Sequence, residues 1–285
     1  MKIKLFLTVS FIVTVLYPAT AFSNYFSSPL APGTEGRNKI ISGVMGFGQN
    51  MQQGIAFVNC DTCVFQKGVA FGYTLGINYA EQLSSDDESI FYYFYLGSLL
   101  HLSNRNFTSA FRERAPQLFP EYDIVFPLMY KHTNTTSIMT AGLMPYISFN
   151  PFKYFFVKFG FDVSYVLSNN MQHQIELLDR RKTLPNGEVV DVFMPTANPN
   201  RRTYSRTVQD GEIQDVNKLQ MSLVPAFGMN IYFTDRLFIS PTFYYFKALN
   251  DISNFGENFR IDAWRASIEL KYNLTTSSRI YIRRK

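Results

Sequence analysis

The chain of 285 residues is 46% hydrophobic and 17% charged, with 28 Phe, 18 Tyr and a single Trp. A charged fraction well below the about 25% of soluble domains, with mean hydropathy close to neutral, excludes both a polytopic helical membrane protein and a disordered chain. Three His and two Cys exclude a multi-zinc or multi-disulfide framework, and no cofactor is expected.

Met1-Lys2-Ile3-Lys4 is a basic start, 5–16 is a mostly apolar run, and Ala19-Thr20-Ala21 offers small residues at the spacing a signal peptidase reads. No Cys follows, which argues against a lipoprotein anchor. Removing Lys2 and Lys4 lowers the net charge from +5 to +3, a bias too weak to point to nucleic acid. No later segment holds 18 continuous apolar residues, so a second transmembrane helix is not expected.

Two-residue alternation organises the remainder. Val69, Phe71, Tyr73, Leu75, Ile77 and Tyr79 alternate with Gly68, Ala70, Gly72, Thr74, Gly76 and Asn78. On a strand the two sets face opposite sides. The pattern returns at 155–167, at 219–233 and at 264–274, and more faintly at 39–50, 89–103, 136–149 and 236–249. That makes eight candidate strands, each long enough to cross a bilayer at a tilt, which takes about 9–11 residues.

The non-apolar faces are rich in Gly, Ala, Ser and Thr with scattered charges, which suits a crowded lumen better than a wetted surface. Connection lengths point the same way. Long stretches at 51–67, 104–135, 168–217 and 250–259 alternate with short turns at 84–88, 150–152 and 234–236. Outer-membrane barrels have short periplasmic turns and long outer loops, with both termini in the periplasm. The expectation is an all-β, eight-stranded antiparallel up-and-down transmembrane barrel over 39–274. It follows a signal peptide (1–21) and a periplasmic segment (22–38), and a basic tail (275–285) ends the chain. Segment 123–132 competes as a strand, with His132-Thr133-Asn134-Thr135 as a turn after it. It reads as an extension of the sheet above the membrane, and a count of ten strands stays open.

The strings GVAFGYTLGINY, NKLQMSLVPAFGMNIYF, RLFISPTFYYFKALNDI and WRASIELKYNL carry a resemblance. With the signal peptide they make the chain similar to the outer-membrane β-barrel domain family, which includes the PorT-like proteins and OmpA-type small barrels. The resemblance implies a Gram-negative outer membrane and a small closed barrel, without implying one activity. It departs at the end. Many such barrels finish on an aromatic residue, whereas here Thr275 leads through Ile280-Tyr281-Ile282 to Arg283-Arg284-Lys285.

Lys158, Asp162, Arg265, Glu269 and Lys271 fall on the small-residue faces and would enter a lumen just wide enough for side chains. Buried charges must pair, so a network that plugs the lumen is expected, with a gated ion path as the alternative. Cys60 and Cys63 form a lone C-x-x-C in the first outer loop, where a disulfide is expected outside the cytoplasm. Arg180, Arg181, Lys182, Arg201, Arg202 and Arg206 make the 168–217 loop a candidate for binding lipopolysaccharide phosphates or other anions.

His101-Leu102-Ser103-Asn104 resembles the catalytic segment of outer-membrane lipid A deacylases, which implies His101 as general base and Ser103 as nucleophile. Both fall on the inward face, however, with Tyr93, Tyr95 and Gly97, and Arg105-Asn106-Phe107 stand where that family has small residues. The expected function is therefore non-enzymatic: a structural, surface-interaction or envelope and secretion-assembly role. Its partners would be outer-membrane lipids, lipopolysaccharide and the barrel-assembly machinery. A lipid A hydrolase and a periplasmic lipid-binding barrel are the alternatives.

Overall fold

A computed structural model describes residues 37–57, 64–86, 88–119, 124–152, 154–194, 202–234 and 236–275. The expected signal peptide, Cys60, Cys63, Arg201 and the tail beyond Thr275 lie outside the described residues. Eight long strands carry the fold: β1 (Lys39–Phe57), β2 (Gly68–Gln82), β3 (Phe94–Asn104), β4 (Ile124–Phe152), β5 (Phe155–Leu177), β6 (Leu219–Met229), β7 (Leu237–Ala248) and β8 (Gly256–Asn273). Each pairs antiparallel with the next, and β1 pairs with β8 from Ile40 opposite Asn273 to Ala56 opposite Gly256. That last ladder closes the sheet. The result is an eight-stranded transmembrane β-barrel, not a ten-stranded one, and closure leaves no edge in the membrane-spanning part.

Alternation sets inside from outside. Phe71, Ile77, Leu100, Phe159, Phe227 and Ile268 stand exposed on the outer surface, while Thr74, Asn78, His101, Lys158, Ser222 and Ser267 are buried inside. Tyr245 lies opposite Trp264, and Tyr272 lies opposite both Ile41 and Leu237. The eight steps from Trp264 to Tyr272, at about 3.4 Å each and about 40° of tilt, span roughly 21 Å. That is close to the about 25 Å apolar band of such barrels.

Above this band the barrel is lopsided. β4 and β5 continue as a long outer hairpin, in which Tyr130 pairs with Leu177. The strand Phe107–Phe119 adds to β4 on one side, and Ser205–Gly211 adds to β5 on the other. A bulge at Leu167 separates the two regions of β5: Thr140 pairs with Val166, but Met139 pairs with Ser168. Below it the even residues of β5 are buried; above it Asn169, Met171 and His173 are.

Several local expectations are corrected. Segment 124–135 is not a separate strand closed by a turn at 132–135, because it runs without a break into 136–149 as one strand. Its polar residues lack the lipid-facing partners that make alternation visible in the membrane. Strand β3 begins at Phe94 rather than at 89, since Ile90–Tyr93 forms a 3-10 turn capped by the Ser89 hydroxyl. Tyr93 therefore lies outside the strand and is exposed. Asn150 and Phe152 continue β4 instead of forming its turn. Trp264 sits well inside β8, which starts at Gly256.

The lumen is stratified. A middle apolar layer holds Val44, Leu99, Met144, Val224 and Phe246. The outer mouth is filled by Phe65, Phe107, Ile138, Ile213, Ile252 and Phe259, with Phe65, Phe107, Ile213 and Ile252 contributed from beyond the eight barrel strands. Water would have to cross both layers. The purified barrel in planar bilayers should accordingly show no large stable conductance, and porin-like steps would contradict a sealed lumen.

Candidate functional site

Two charged clusters occupy the membrane-level lumen. In the first, Asp162 on β5 receives His101 Nε2 at 2.8 Å and Arg105 at 2.9 Å, and the Ser164 hydroxyl donates to the same carboxylate. All four residues are 2% exposed or less. Gly142 makes the space: a Cβ there would stand 2.8 Å from both Asp162 Oδ1 and His101 Nε2. Arg265 shares the same level without a carboxylate partner among the described residues. Its guanidinium donates to the carbonyls of Gln49, Trp264 and Asn104 and to the Asn50 side chain. Gly72 clears room for it, since a Cβ there would lie 2.8 Å from the guanidinium.

The second cluster lies toward the short-turn end. Glu269 accepts from Lys158 at 2.7 Å and from the Tyr244 hydroxyl, and lies 3.3 Å from Lys271. Lysine charge is further spread over rings, with Lys271 Nζ 4.1 Å from the Phe156 centroid and Lys158 Nζ 4.9 Å from that of Tyr146. The structure thus brings Lys158, Glu269 and Lys271 together, and Asp162 joins His101 and Arg105 instead. Parity reasoning missed Arg105 because it follows the last residue of β3, and missed Asn50 because an amide carries no charge signal.

Ser103 is held apart from His101's partner. Its hydroxyl lies 3.0 Å from Thr74 Oγ1 and donates to the Tyr73 carbonyl at 3.3 Å. Neither His101 nor Ser103 is more than 4% exposed.

The other two histidines form a pair above the membrane. His132 Nδ1 and His173 Nε2 are 3.1 Å apart, His132 Nε2 is 3.2 Å from Glu113, and the Phe111 ring stacks on His132. The Leu167 bulge is what turns His173 inward to meet His132. Burial lowers both imidazoles, His173 to about 4, with the neighbouring His132 adding to the effect and Glu113 partly opposing it at His132.

The basic loop residues are largely engaged locally. Arg180 lies 3.5 Å from Glu176, Arg181 3.2 Å from Asp191, and Lys182 3.0 Å from Asp179, whose carboxyl it holds below the usual range. Arg202 covers the Phe193 ring, and Arg206 is exposed on the strand Ser205–Gly211. The more concentrated cationic face was not legible as a loop motif. On the Phe107–Phe119 strand that flanks the outer hairpin, Arg112 stands directly opposite Lys131 of β4, with Arg114 two residues further on the same face. No carboxylate lies within ion-pair distance of these three among the described residues, although Glu176 stands opposite Lys131 on β5 and Asp179 feels the charge of Arg114. Sequence separation hid the pairing, although the string Arg112-Glu113-Arg114 alternates at strand spacing.

Two outcomes are expected. Asp162→Asn leaves Arg105 buried without a countercharge and should destabilise the folded barrel by about 3–5 kcal/mol in a denaturant titration, whereas Ser164→Ala should cost only about 1 kcal/mol. For the histidine pair, an unfolded imidazole takes up a proton near pH 6.5 while folded His173 resists until about 4. Stability should therefore fall as pH drops from 6.5 toward 4. Melting curves of wild type and a His132→Gln/His173→Gln variant should converge in this window if the pair is the source.

No family model and no curated protein sequence matches the chain. Solved structures similar to it include Ail, the attachment invasion locus protein of Yersinia pestis, in complex with the heparin analogue sucrose octasulfate; it is 11% identical, with 82% of this chain and 99% of that one covered and a TM-score of 0.28. The outer-membrane protease OmpT from Escherichia coli is 11% identical, with coverages of 86% and 100% and a TM-score of 0.31. The translocator domain of the autotransporter NalP from Neisseria meningitidis is 10% identical, with coverages of 93% and 96% and a TM-score of 0.27.

Proposed function

We propose that the chain is a non-enzymatic surface protein of a Gram-negative outer membrane, whose barrel is an anchor and whose outer hairpin binds anionic groups of envelope glycolipids. In this reading residues 1–21 direct export, the barrel-assembly machinery inserts the strands, the termini are periplasmic and the long connections lie outside. The lipid-facing Phe, Leu and Ile positions support the membrane, and the apolar seal over the lumen supports an anchor rather than a pore. A hydrolytic reading has less behind it, because His101 and Ser103 are each bonded to other lumen residues and buried.

The observation that carries the binding role is the juxtaposition of Arg112 and Lys131. Like charges directly opposite on neighbouring strands destabilise a sheet, so a face that keeps them, with Arg114 alongside, is suited to an external anion. Guanidinium and ammonium groups are the usual partners of phosphate oxygens, and a strand hairpin holds them rigidly at one height.

The test compares wild type with an Arg112→Gln/Arg114→Gln/Lys131→Gln variant in binding to purified lipopolysaccharide at fixed ionic strength. At about 1 kcal/mol for each cation near an anionic surface, the variant should lose at least about tenfold in affinity while its melting temperature stays equal or rises, since the like-charge pair is gone. Equal affinity in the two proteins would remove the basis of the proposal.

A further inference from the structure

A small cavity of about 20 Å³ opens at the short-turn end of the lumen, lined by Asn78, Tyr95, Tyr146, Ser148, Lys158 and Lys271. A volume of this size holds one water-sized species. Ile40, near the start of β1, and Asn150, near the end of β4, also border it, so it communicates with the compartment on that side rather than with the sealed outer mouth.

The polarity of the lining is one-sided. Tyr146 donates to Asn78 Oδ1, and the Ser148 hydroxyl donates to Asn150 Oδ1, so two of the nearby acceptor oxygens are engaged. Asn230 Oδ1, beside Lys271, already accepts from both that lysine and Ser240. Donors are in surplus. Each ammonium has three N–H groups. Lys158 directs two to Glu269 and the Tyr244 oxygen, and Lys271 directs one to Asn230 while facing Glu269 Oε2 as an ion pair at 3.3 Å. The Tyr95 hydroxyl accepts a long bond from Asn38 and keeps its own proton to give. Charge is one-sided as well: two lysines share one carboxylate, both at least nine-tenths buried. In low dielectric an unbalanced charge of this kind is costly, and aromatic faces offset only part of it.

We propose that this vestibule binds one small monovalent inorganic anion, of the size of chloride, between Lys158 and Lys271. The anion takes the third N–H of each ammonium and the Tyr95 O–H, and completes the charge balance around Glu269. A cation would meet repulsion from both lysines, and a bulky organic anion would not fit the volume. This inference concerns the lumen and stands independently of the hairpin's glycolipid binding.

The experiment uses the full chain refolded in a zwitterionic detergent, melted at constant ionic strength in sodium chloride or in sodium gluconate, whose anion is too large to enter. Chloride should raise the melting temperature in a saturating manner. Lys271→Met should abolish the response, and Tyr95→Phe, which removes one donor, should raise the half-saturating concentration about tenfold. Crystals soaked in bromide should give an anomalous peak against both ammonium groups. Identical melting in the two salts, or a chloride response that survives in Lys271→Met, would overturn the site. Should Lys271→Met fail to fold, the Tyr95→Phe titration and the bromide peak decide alone.

Discussion

The constraint on which the rest depends is that charge in an eight-stranded lumen has no water to retreat to. The bore is filled by side chains, so a guanidinium or ammonium group placed there must find carboxylates, carbonyls or ring faces within its own cross-section. Much of the inward sequence follows from this. Glycines at 72 and 142 exist where Arg265 and the His101–Asp162 pair need volume. Asn50 bridges Arg265 to the carbonyl of Asn106. Tyr244 brings Lys158 both a hydroxyl and a ring face, and Tyr146 adds a second ring face.

The same constraint explains the layering. Apolar residues between and above the charged clusters separate each from the other and from the outer medium, so the Asp162 cluster cannot relax by hydration and the Glu269 cluster meets solvent only through the small vestibule at the short-turn end. The sealed outer mouth is then a mechanical benefit as well as an electrostatic one. Phe65, Ile213 and Ile252, from beyond the barrel strands, dock onto strand residues such as Phe107 and Phe259, and thereby fix the connections from which the outer hairpin rises.

Much of the membrane-level architecture was legible in the sequence, because lipid on one side and a narrow bore on the other impose a strict period of two. Lys158 and Asp162 declare their inward facing by parity with Gly160 and Ser164, and the alternation of long and short connections counts the strands. Legibility ends where that contrast ends. Above the bilayer, residues 124–135 alternate between two wet or mixed environments, so a continuous strand reads as strand plus turn. Partners distant in sequence are equally hidden: nothing near Asp162 announces Arg105, and nothing near Arg112 announces Lys131. The bulge at Leu167 also breaks parity in the middle of a strand, so that counting onward from Lys158 would have placed His173 on the wrong side.

That bulge has a wider consequence. By absorbing one residue at the edge of the lipid band, it gives the outer hairpin an inside-outside code independent of the one below. The membrane part of β5 is bound to a fixed register by lipid and bore, whereas the outer part can be rewritten, lengthened or exchanged as a module without disturbing a single lipid contact. Divergence among proteins built on this plan should therefore concentrate above residue 167, with the bulge itself as the joint.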